Sequence, residues 1–165
     1  MAIVIRGKSV CDLCERIMED GQDIIAFSPF VYNEFDPLLL FSDAAFHKEC
    51  FLKHSLAEKA LARVEEQRKR IGPGNRFCIV CDQEITNPNE YFAFIHLTDD
   101  RKHPLYKYNY IQFHRSCLPQ WTELSQVYDH LKELQHSGAW KGKVLDWLVA
   151  EMKRVKEEEM SGRYR

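Results

Sequence analysis

One cysteine and histidine pattern occurs twice in the sequence, and the two copies together use all six cysteines. In the first copy, Cys11-x-x-Cys14 is followed 33 positions later by His47-x-x-Cys50. The second copy begins at Cys78 and keeps the same order and internal spacing, with ligand candidates Cys78, Cys81, His114 and Cys117. Positions that coincide when Cys78 is aligned with Cys11 are called equivalent. Each copy offers three thiolates and one imidazole, which is the ligand set of a closed structural zinc site.

The spacing within each copy favours a metal over disulfides or buried free thiols. Two cysteines three positions apart place both sulfurs on one ion when the backbone between them turns tightly, and His-x-x-Cys in the first turn of a helix directs both side chains to one side. Disulfides need an oxidising compartment. Residues 1–10 show no secretory signal, because a very short apolar run is followed by Arg6 and Lys8. We predict two structural Zn²⁺ ions per chain.

The repeat divides the 165 residues into two small modules. A module of about 40 residues buries little apolar surface, so metal binding should supply much of its folding free energy. We predict a first module with a linker helix at 1–72, a second module with its helix at 73–137, and a C-terminal helix and tail at 138–165. No apolar run approaches the roughly 20 residues that cross a bilayer. We expect an intracellular protein, cytoplasmic or nuclear (nucleoid), without a membrane partner.

Strand signals lie between the ligand pairs of each copy. Residues 23–27 and 38–41 are apolar and β-prone, and Pro29 and Pro37 separate them. The repeat places residues 91–95 and 105–110 at the same positions. Matches outside the ligands extend the duplication, and their expected role is core packing: Phe27 with Phe94, Pro37 with Pro104, and Phe46 with Phe113. Two strands are therefore expected in each module.

Helical periodicity follows the second ligand pair of each copy. Leu52, Leu56, Ala60 and Val64 recur at steps of four and predict a helix to about Arg70, ended by the glycines and proline of 72–75. A second helix is predicted at 118–135. A last helix at 140–160 carries an apolar stripe, which either packs on the protein itself, as we favour, or receives a partner: Val144, Leu148, Met152 and Val155. Residues 161–165 are expected to be loose.

A knuckle, a hairpin and a helix that supplies the last two ligands follow the order of a treble-clef zinc module. The predicted fold class is α+β, with two duplicated treble-clef-like modules, each followed by a long helix, plus a C-terminal amphipathic helix. The arrangement Cys-x-x-Cys, a β-prone spacer and aromatic-His-x-x-Cys resembles the tandem zinc fingers of poly(ADP-ribose) polymerases and related sensors of DNA nicks. Phe46 and Phe113 fall on the aromatic position of that finger family. The half-site around His47 also resembles the first zinc half of LIM domains, which are protein-interaction modules.

The positions that would grip DNA differ from that family. The resemblance places its phosphate-contacting arginine at Ile24 and Tyr91, and neither residue is basic. Residues 11–50 carry nine acidic and two basic side chains, whereas phosphate contacts supply much of the affinity of nucleic-acid binding. We therefore expect a non-enzymatic scaffold for protein–protein interaction, an adaptor or regulator with a protein partner and no small-molecule substrate.

DNA binding, to nicked or single-stranded DNA, is the first alternative. The alternating tyrosines of 105–110 would form a stacking face for exposed bases if that segment is a strand. The basic candidates lie in the linker and in the second module. The full set of possible nucleic-acid contacts is Arg68, Lys69, Arg70, Arg76, Arg101, Lys102, His103, Tyr106, Tyr108 and Tyr110.

A zinc deaminase-like enzyme is the second alternative. His47-x-Glu49 followed by Cys78-x-x-Cys81 matches part of that signature, in which a glutamate moves protons and zinc activates water. Against it, Phe77 stands where the signature has proline, and the repeat has Ser116 at the position of Glu49. His54 is a further candidate ligand, but Trp121 holds its repeat position, so we predict a packing or surface role for His54.

Overall fold

The computed structural model describes residues 2–160, which form four α-helices and two two-stranded sheets. The chain divides into two compact units, each with one complete ligand set. The first unit comprises Met1–Tyr32 and Asp36–Glu66, and the second comprises Asn33–Phe35 and Gln67–Arg165. No helix among the described residues is long and apolar enough to cross a membrane.

The first unit is built on a short antiparallel hairpin. Strands β1 (Ile24–Ala26) and β2 (Ala45–His47) pair with Ile24 opposite His47. A 3-10 helix, Pro37–Phe41, lies in the connection between them. Helix α1 (Lys48–Leu52) follows β2 directly, and the longer helix α2 (Ala57–Ile71) begins in this unit.

The second unit repeats the hairpin and adds a helix. Strands β3 (Tyr91–Ala93) and β4 (Gln112–His114) pair with Tyr91 opposite His114. The helices that follow are α3 (Leu124–His136) and α4 (Lys143–Met160). Three 3-10 helices complete the described part of this unit, at Pro88–Glu90, Tyr106–Tyr108 and Leu118–Gln120.

Aromatic rings fill the core of the first unit. The Phe41 ring lies 5.5 Å from the Phe46 ring and 5.3 Å from the Phe51 ring, and the Phe27 ring lies 5.0 Å from the Phe51 ring. All four side chains are buried. Large rings supply much buried area per residue, and edge-to-face pairs add about 0.5–1.5 kcal/mol each. A hairpin of three-residue strands therefore gains a core that its length alone would not provide.

The apolar stripe of α4 is buried within the second unit, which confirms self-packing. Leu148, Met152 and Val155 of the predicted stripe are buried, whereas Val144 is half-buried and its neighbour Leu145, outside the prediction, is buried in its place. Helix α4 packs against α3 and against the 3-10 helix Leu118–Gln120. Burying one such side chain contributes roughly 1.5–3 kcal/mol, so this helix adds much of the apolar core that the small module lacks. The expected loose tail, 161–165, lies outside the described residues.

Two predicted strands are wrong. Residues 38–41 lie in the 3-10 helix Pro37–Phe41 instead, and the tyrosine segment 105–110 contains the 3-10 helix Tyr106–Tyr108 followed by a turn. The residue two positions before each apolar segment caps the turn: Asp36 Oδ1 accepts the Leu38 N–H at 2.8 Å, and His103 Nδ1 accepts the Leu105 N–H at 3.1 Å. Such local side-chain caps compete with extended structure. The strands predicted at 23–27 and 91–95 are present as β1 and β3, but each is only three residues long.

The long helices begin later than predicted. Helix α1 ends at Leu52, α2 starts at Ala57, and in the second unit α3 starts only at Leu124. The interruption lets a ring turn onto the core, with the His54 ring 5.1 Å from Phe41 at 84°. His54 is thus a packing residue, as predicted. The equivalent pair, Tyr108 and Trp121, has centroids 5.6 Å apart, also at 84°.

The duplication extends to hydrogen bonds made by different residue types. Ser42 Oγ accepts the N–H groups of Phe30 and Val31, each at 3.0 Å, and donates to the Val31 carbonyl. At the equivalent position of the second unit, an asparagine replaces the serine and performs the same three tasks. The Asn109 Oδ1 accepts two backbone N–H groups at 2.7 and 3.3 Å, and its Nδ2 donates to the Thr98 carbonyl at 2.8 Å.

Candidate metal centres

Each first ligand pair sits on a tight backbone knuckle. The Cys11 N–H donates to the Arg16 carbonyl at 2.9 Å, and the Glu15 N–H donates to the Cys11 carbonyl at 2.8 Å. Glu15 has φ of 57°, in the left-handed region that non-glycine residues seldom adopt. The second knuckle repeats both bonds and the positive φ at the equivalent residues, which are Cys78, Gln83 and Asp82. This turn directs two sulfurs of each copy to one side.

Each histidine ends the second strand of its hairpin. The Lys48 N–H next to His47 donates to the Asp23 carbonyl at 2.9 Å, and the equivalent Arg115 N–H donates to the Glu90 carbonyl at 2.7 Å. The prediction that His-x-x-Cys occupies a first helical turn is therefore wrong in part. Cys50 does lie in the short helix α1. Cys117, in contrast, lies in a turn before the 3-10 helix, because Pro119 follows and the chain does not continue as an α-helix here.

The four donors of each copy converge. In both groups, one ligand atom from each residue lies within 4.8 Å of all the others: Cys11, Cys14, His47 and Cys50 in the first, and Cys78, Cys81, His114 and Cys117 in the second. Cys14 Sγ lies 3.3 Å from His47 Nδ1, and Cys81 Sγ lies 3.4 Å from His114 Nδ1. Tetrahedral zinc with ordinary bond lengths separates such atoms by about 3.6 Å. The residues fit two structural Zn²⁺ ions, as predicted.

A glutamine orients the histidine of the first site. His47 Nε2 lies 2.8 Å from Gln22 Oε1, so the ring N–H donates to the amide oxygen and Nδ1 keeps its lone pair for a metal. Asn89 holds the equivalent position in the second unit. Within residues 2–160, no hydrogen bond joins the Asn89 side chain to His114. The sequence repeat did not identify Gln22, because its partner is a different residue without this contact.

The two sites also differ in exposure and in local charge. His47 is buried, whereas His114 is half-buried, and Cys81 is exposed where Cys14 is half-buried. Arg16 follows the first knuckle, and the second unit has the neutral Gln83 at that position. The ligands of the first site are therefore less exposed to water than those of the second, and the first site has an additional positive charge, Arg16. Arg16 too was missed at the sequence level, since a single basic residue near cysteines carries no distinctive signal.

The environment shifts the ligand thiols in different directions. The backbone N–H and the guanidinium of Arg16 hold the pKa of Cys14 at about 6. Burial raises the pKa of Cys78, but hydrogen bonds from the backbone of Cys81, His114 and Val80 and from the His114 side chain outweigh that effect and leave the pKa at about 6. Burial raises the pKa of Cys117 to about 12. A bound divalent cation is the charge that keeps all three thiolates of one site deprotonated together.

The tyrosines proposed for base stacking do not form a common face. Tyr106 and Tyr108 lie in a 3-10 helix, and Tyr110 has φ of 62°. Tyr108 and Tyr110 are only 2% and 3% exposed, so their rings belong to the core. Tyr106 is half-buried. Because this segment forms a 3-10 helix after the turn at His103, the alternation of a strand is lost and with it the predicted stacking face.

The basic candidates lie on separate elements. Arg68 and Lys69 are exposed near the end of α2, and Arg70 donates to the Asn109 carbonyl at 3.3 Å. The guanidinium of Arg76 stacks 4.8 Å above the Tyr91 ring. Exposed Arg101 and Lys102 stand side by side in a turn, where Asp100 Oδ1 accepts the Lys102 N–H at 2.9 Å, and His103 serves as a cap.

The partial deaminase signature is divided between two ligand groups. His47 is grouped with the three cysteines of its own module, and Cys78 and Cys81 are grouped with His114 and Cys117. Glu49 forms an ion pair with Lys53 four residues later in the chain. Comparison of the chain with protein-family models, with curated proteins and with solved structures finds no match.

Proposed function

We propose that the protein is a non-enzymatic scaffold for protein–protein interaction, built on two treble-clef-like zinc modules. The observation that carries this proposal is the donor set of each site: four protein ligand atoms lie within 4.8 Å of one another, enough to fill the tetrahedral coordination of zinc without water. A catalytic zinc keeps a position open for water or substrate. Zinc here holds short hairpins and their helices in fixed positions, and the surfaces of those elements carry the function.

The charge and packing of the modules support a protein partner over nucleic acid. The ligand-bearing segment 11–50 has nine acidic and two basic side chains, which disfavours contact with phosphates. Two of the three tyrosines that would stack on bases are buried. The resemblance to the tandem fingers of poly(ADP-ribose) polymerases is, in this proposal, one of metal framework, with the DNA-gripping positions replaced by Ile24 and Tyr91.

Affinity purification from source cells tests the proposal. The tagged, zinc-loaded protein should retain one or more proteins in near-stoichiometric amounts after nuclease treatment. A double variant, His47→Ala with His114→Ala, serves as the control, because it should lose both metal sites and the surfaces they support. Retention that disappears with nuclease, or no retained protein at all, would contradict the scaffold role.

Binding to nicked or single-stranded DNA is the second candidate, on the strength of exposed Arg101 and Lys102 in one turn. Fluorescence-anisotropy titration against intact, nicked and single-stranded DNA at low and moderate salt separates the two functions. The scaffold proposal predicts no binding even at low salt. Tight binding that weakens steeply with added salt and disappears in Arg101→Ala with Lys102→Ala would establish nucleic-acid binding in its place.

A further inference from the structure

Helix α4 covers a defined face of the second zinc module. Glu151 Oε1 on α4 accepts a hydrogen bond from Arg115 Nη1 at 3.0 Å, directly after the ligand His114. The Trp147 ring lies 5.7 Å from the ring of Phe92 in β3. Near the other end of α4, Lys156 Nζ lies 5.1 Å from the centre of the Tyr128 ring on α3. The helix thus spans the hairpin, the turn after the ligands and α3.

Burial in the second unit follows from this cover. Phe92 is 1% exposed, and Leu131 of α3 is fully buried. Pro119, in the 3-10 helix against which α4 packs, is also buried. In the second unit, the amphipathic helix α4 therefore buries the apolar face next to the zinc site, and the Arg115–Glu151 ion pair lies at the edge of that contact.

Among the residues that the structure describes, no helix covers the equivalent face of the first unit. We call it the open face and define it by the residues equivalent to those that α4 covers: Ile25, Lys48, Leu52, Leu61 and Val64. Leu52 is 56% exposed and Leu61 is 40% exposed, and the side chains of Ile25 and Val64 are half-buried. The chain order explains the difference, because α3 is followed by α4, whereas α2 is followed by the second zinc module.

The open face offers both a cleft and a charge for an incoming helix. A cleft of about 770 Å³ lies beside the first metal site. Lys48 and Leu52 of the open face line it, together with the ligands His47 and Cys50 and polar or charged side chains: Arg16, Gln22, Asp23, Glu49 and Lys53. Lys48 occupies the position of Arg115, which binds Glu151 of α4. Within residues 2–160, the exposed Lys48 side chain has no ion-pair partner. Lys53, which also lines the cleft, is neutralised by Glu49. The open face thus combines apolar side chains with Lys48, a positive charge at its edge that also lines the cleft.

We propose that the open face binds an amphipathic helix of a partner protein, seated as α4 sits on the second module, with a carboxylate of that helix paired to Lys48. This inference rests on the proposed scaffold function and names its binding site and the class of its partner. The required helix carries apolar side chains at i, i+3 or i+4, and i+7, with an acidic residue beside that stripe.

The test uses helix-forming peptides selected from a displayed library of acidic amphipathic sequences, each as long as α4, against the zinc-loaded protein. Leu52→Glu should weaken the selected peptides by about tenfold or more, because a buried charge replaces a contact at the centre of the site. Lys48→Glu should weaken them by about three- to tenfold, and exchanging the peptide's acidic residue for lysine should restore binding to that variant. Leu40→Glu, a change at another exposed leucine of the first unit, is the matched control and should stay within about twofold of wild type.

Zinc content and circular dichroism confirm that each variant is folded, since the substituted side chains are all exposed. Peptides that bind Leu52→Glu as well as wild type, or no peptide binding at all, would overturn the proposal. Self-association of the purified protein, detected by light scattering and removed by Leu52→Glu, would instead assign the face to a second copy of this chain and overturn the partner assignment.

The affinity purification described above separates this inference from the function on which it rests. Proteins retained by wild type but lost from Leu52→Glu and Lys48→Glu support both. Proteins retained equally by wild type and by these variants leave the scaffold role intact and refute the open face as its site. No retained protein refutes the scaffold role itself.

Discussion

The two zinc modules share one backbone design and differ in what surrounds the metal. Their knuckles, hairpin registers, positive-φ residues and turn caps coincide at equivalent positions. In the first module, Gln22 orients the ligand histidine and Arg16 lies beside a ligand thiol. In the second, the metal site is more exposed, but a terminal helix completes the apolar core. The comparison separates what zinc coordination requires from what each module can vary.

The largest expected effect tests whether each module depends on its own metal. Replacing His114 with alanine should reduce the zinc content from two ions per chain to one and unfold the second unit while the first remains folded, because structural zinc binding and folding are linked, with apparent energies of about 10–16 kcal/mol in isolated fingers. Native mass spectrometry counts the ions, and amide NMR spectra report each unit. His47→Ala is the matched variant and should have the opposite pattern. Equal loss of both units in either variant would contradict independent modules.

A smaller effect on stability is expected from truncating the helix α4, which packs on the second module. Leu148→Ala should lower the free energy of unfolding of the second unit by about 2–5 kcal/mol, since the side chain is fully buried in α4. Leu61→Ala, on the open face of the first unit, should change stability by less than about 0.5 kcal/mol without a partner. Chemical denaturation of the zinc-loaded proteins measures both. Similar losses of unfolding free energy in the two variants would show that Leu61 is as buried as Leu148, and would contradict an open face on the first unit.

Ser42 and Asn109 differ in residue type but make equivalent hydrogen bonds to the backbone, so their removal should have similar effects on stability. Asn109→Ala should cost about 1–3 kcal/mol, because two backbone N–H groups and one carbonyl lose their partner in a buried turn. Ser42→Ala removes the equivalent bonds, and we expect a cost in the same range. Thermal unfolding of the two variants provides the comparison. A negligible change in stability for either variant would show that the two side chains do not have equivalent roles.

The smallest expected effect concerns the hydrogen bond from His47 to Gln22, which orients the ligand histidine of the first site. Gln22→Ala should weaken zinc binding at the first site by about 10-fold, at the low end of the range for partners that orient a metal ligand, because Gln22 is itself exposed to water. Asn89→Ala, at the equivalent position, should stay within about twofold. Competition with a chromophoric chelator gives both affinities. An equal response of the two sites would show that Gln22 does not orient His47.

The sequence predicts the metal sites well because coordination ties residue type to spacing. Both ligand sets and the aromatic positions Phe27 and Phe46 follow from the repeat, and the apolar stripe of α4 follows from helical periodicity. The prediction for the tyrosine segment fails because its alternation imitates a strand. Residues 106–108 instead form a 3-10 helix, preceded by a turn in which His103, the repeat partner of Asp36, accepts the Leu105 N–H.

Other features depend on contacts that a linear pattern does not encode. Gln22 reaches His47 across 25 positions, and its repeat partner, Asn89, lacks that contact. The breaks before α2 and α3 depend on His54 and Trp121 turning inward onto the rings of their own units. The open face becomes visible only when the exposure of each module is compared at equivalent positions.

Native mass spectrometry combined with circular dichroism, before and after removal of zinc by a strong chelator, tests the central claim most directly. The protein should carry two zinc ions per chain, and their removal should abolish strand and helix signals together, because four-ligand sites contribute directly to folding. A chain that carries fewer than two ions when purified with zinc, or that keeps its secondary structure after both ions are removed, would contradict the account of two structural zinc modules.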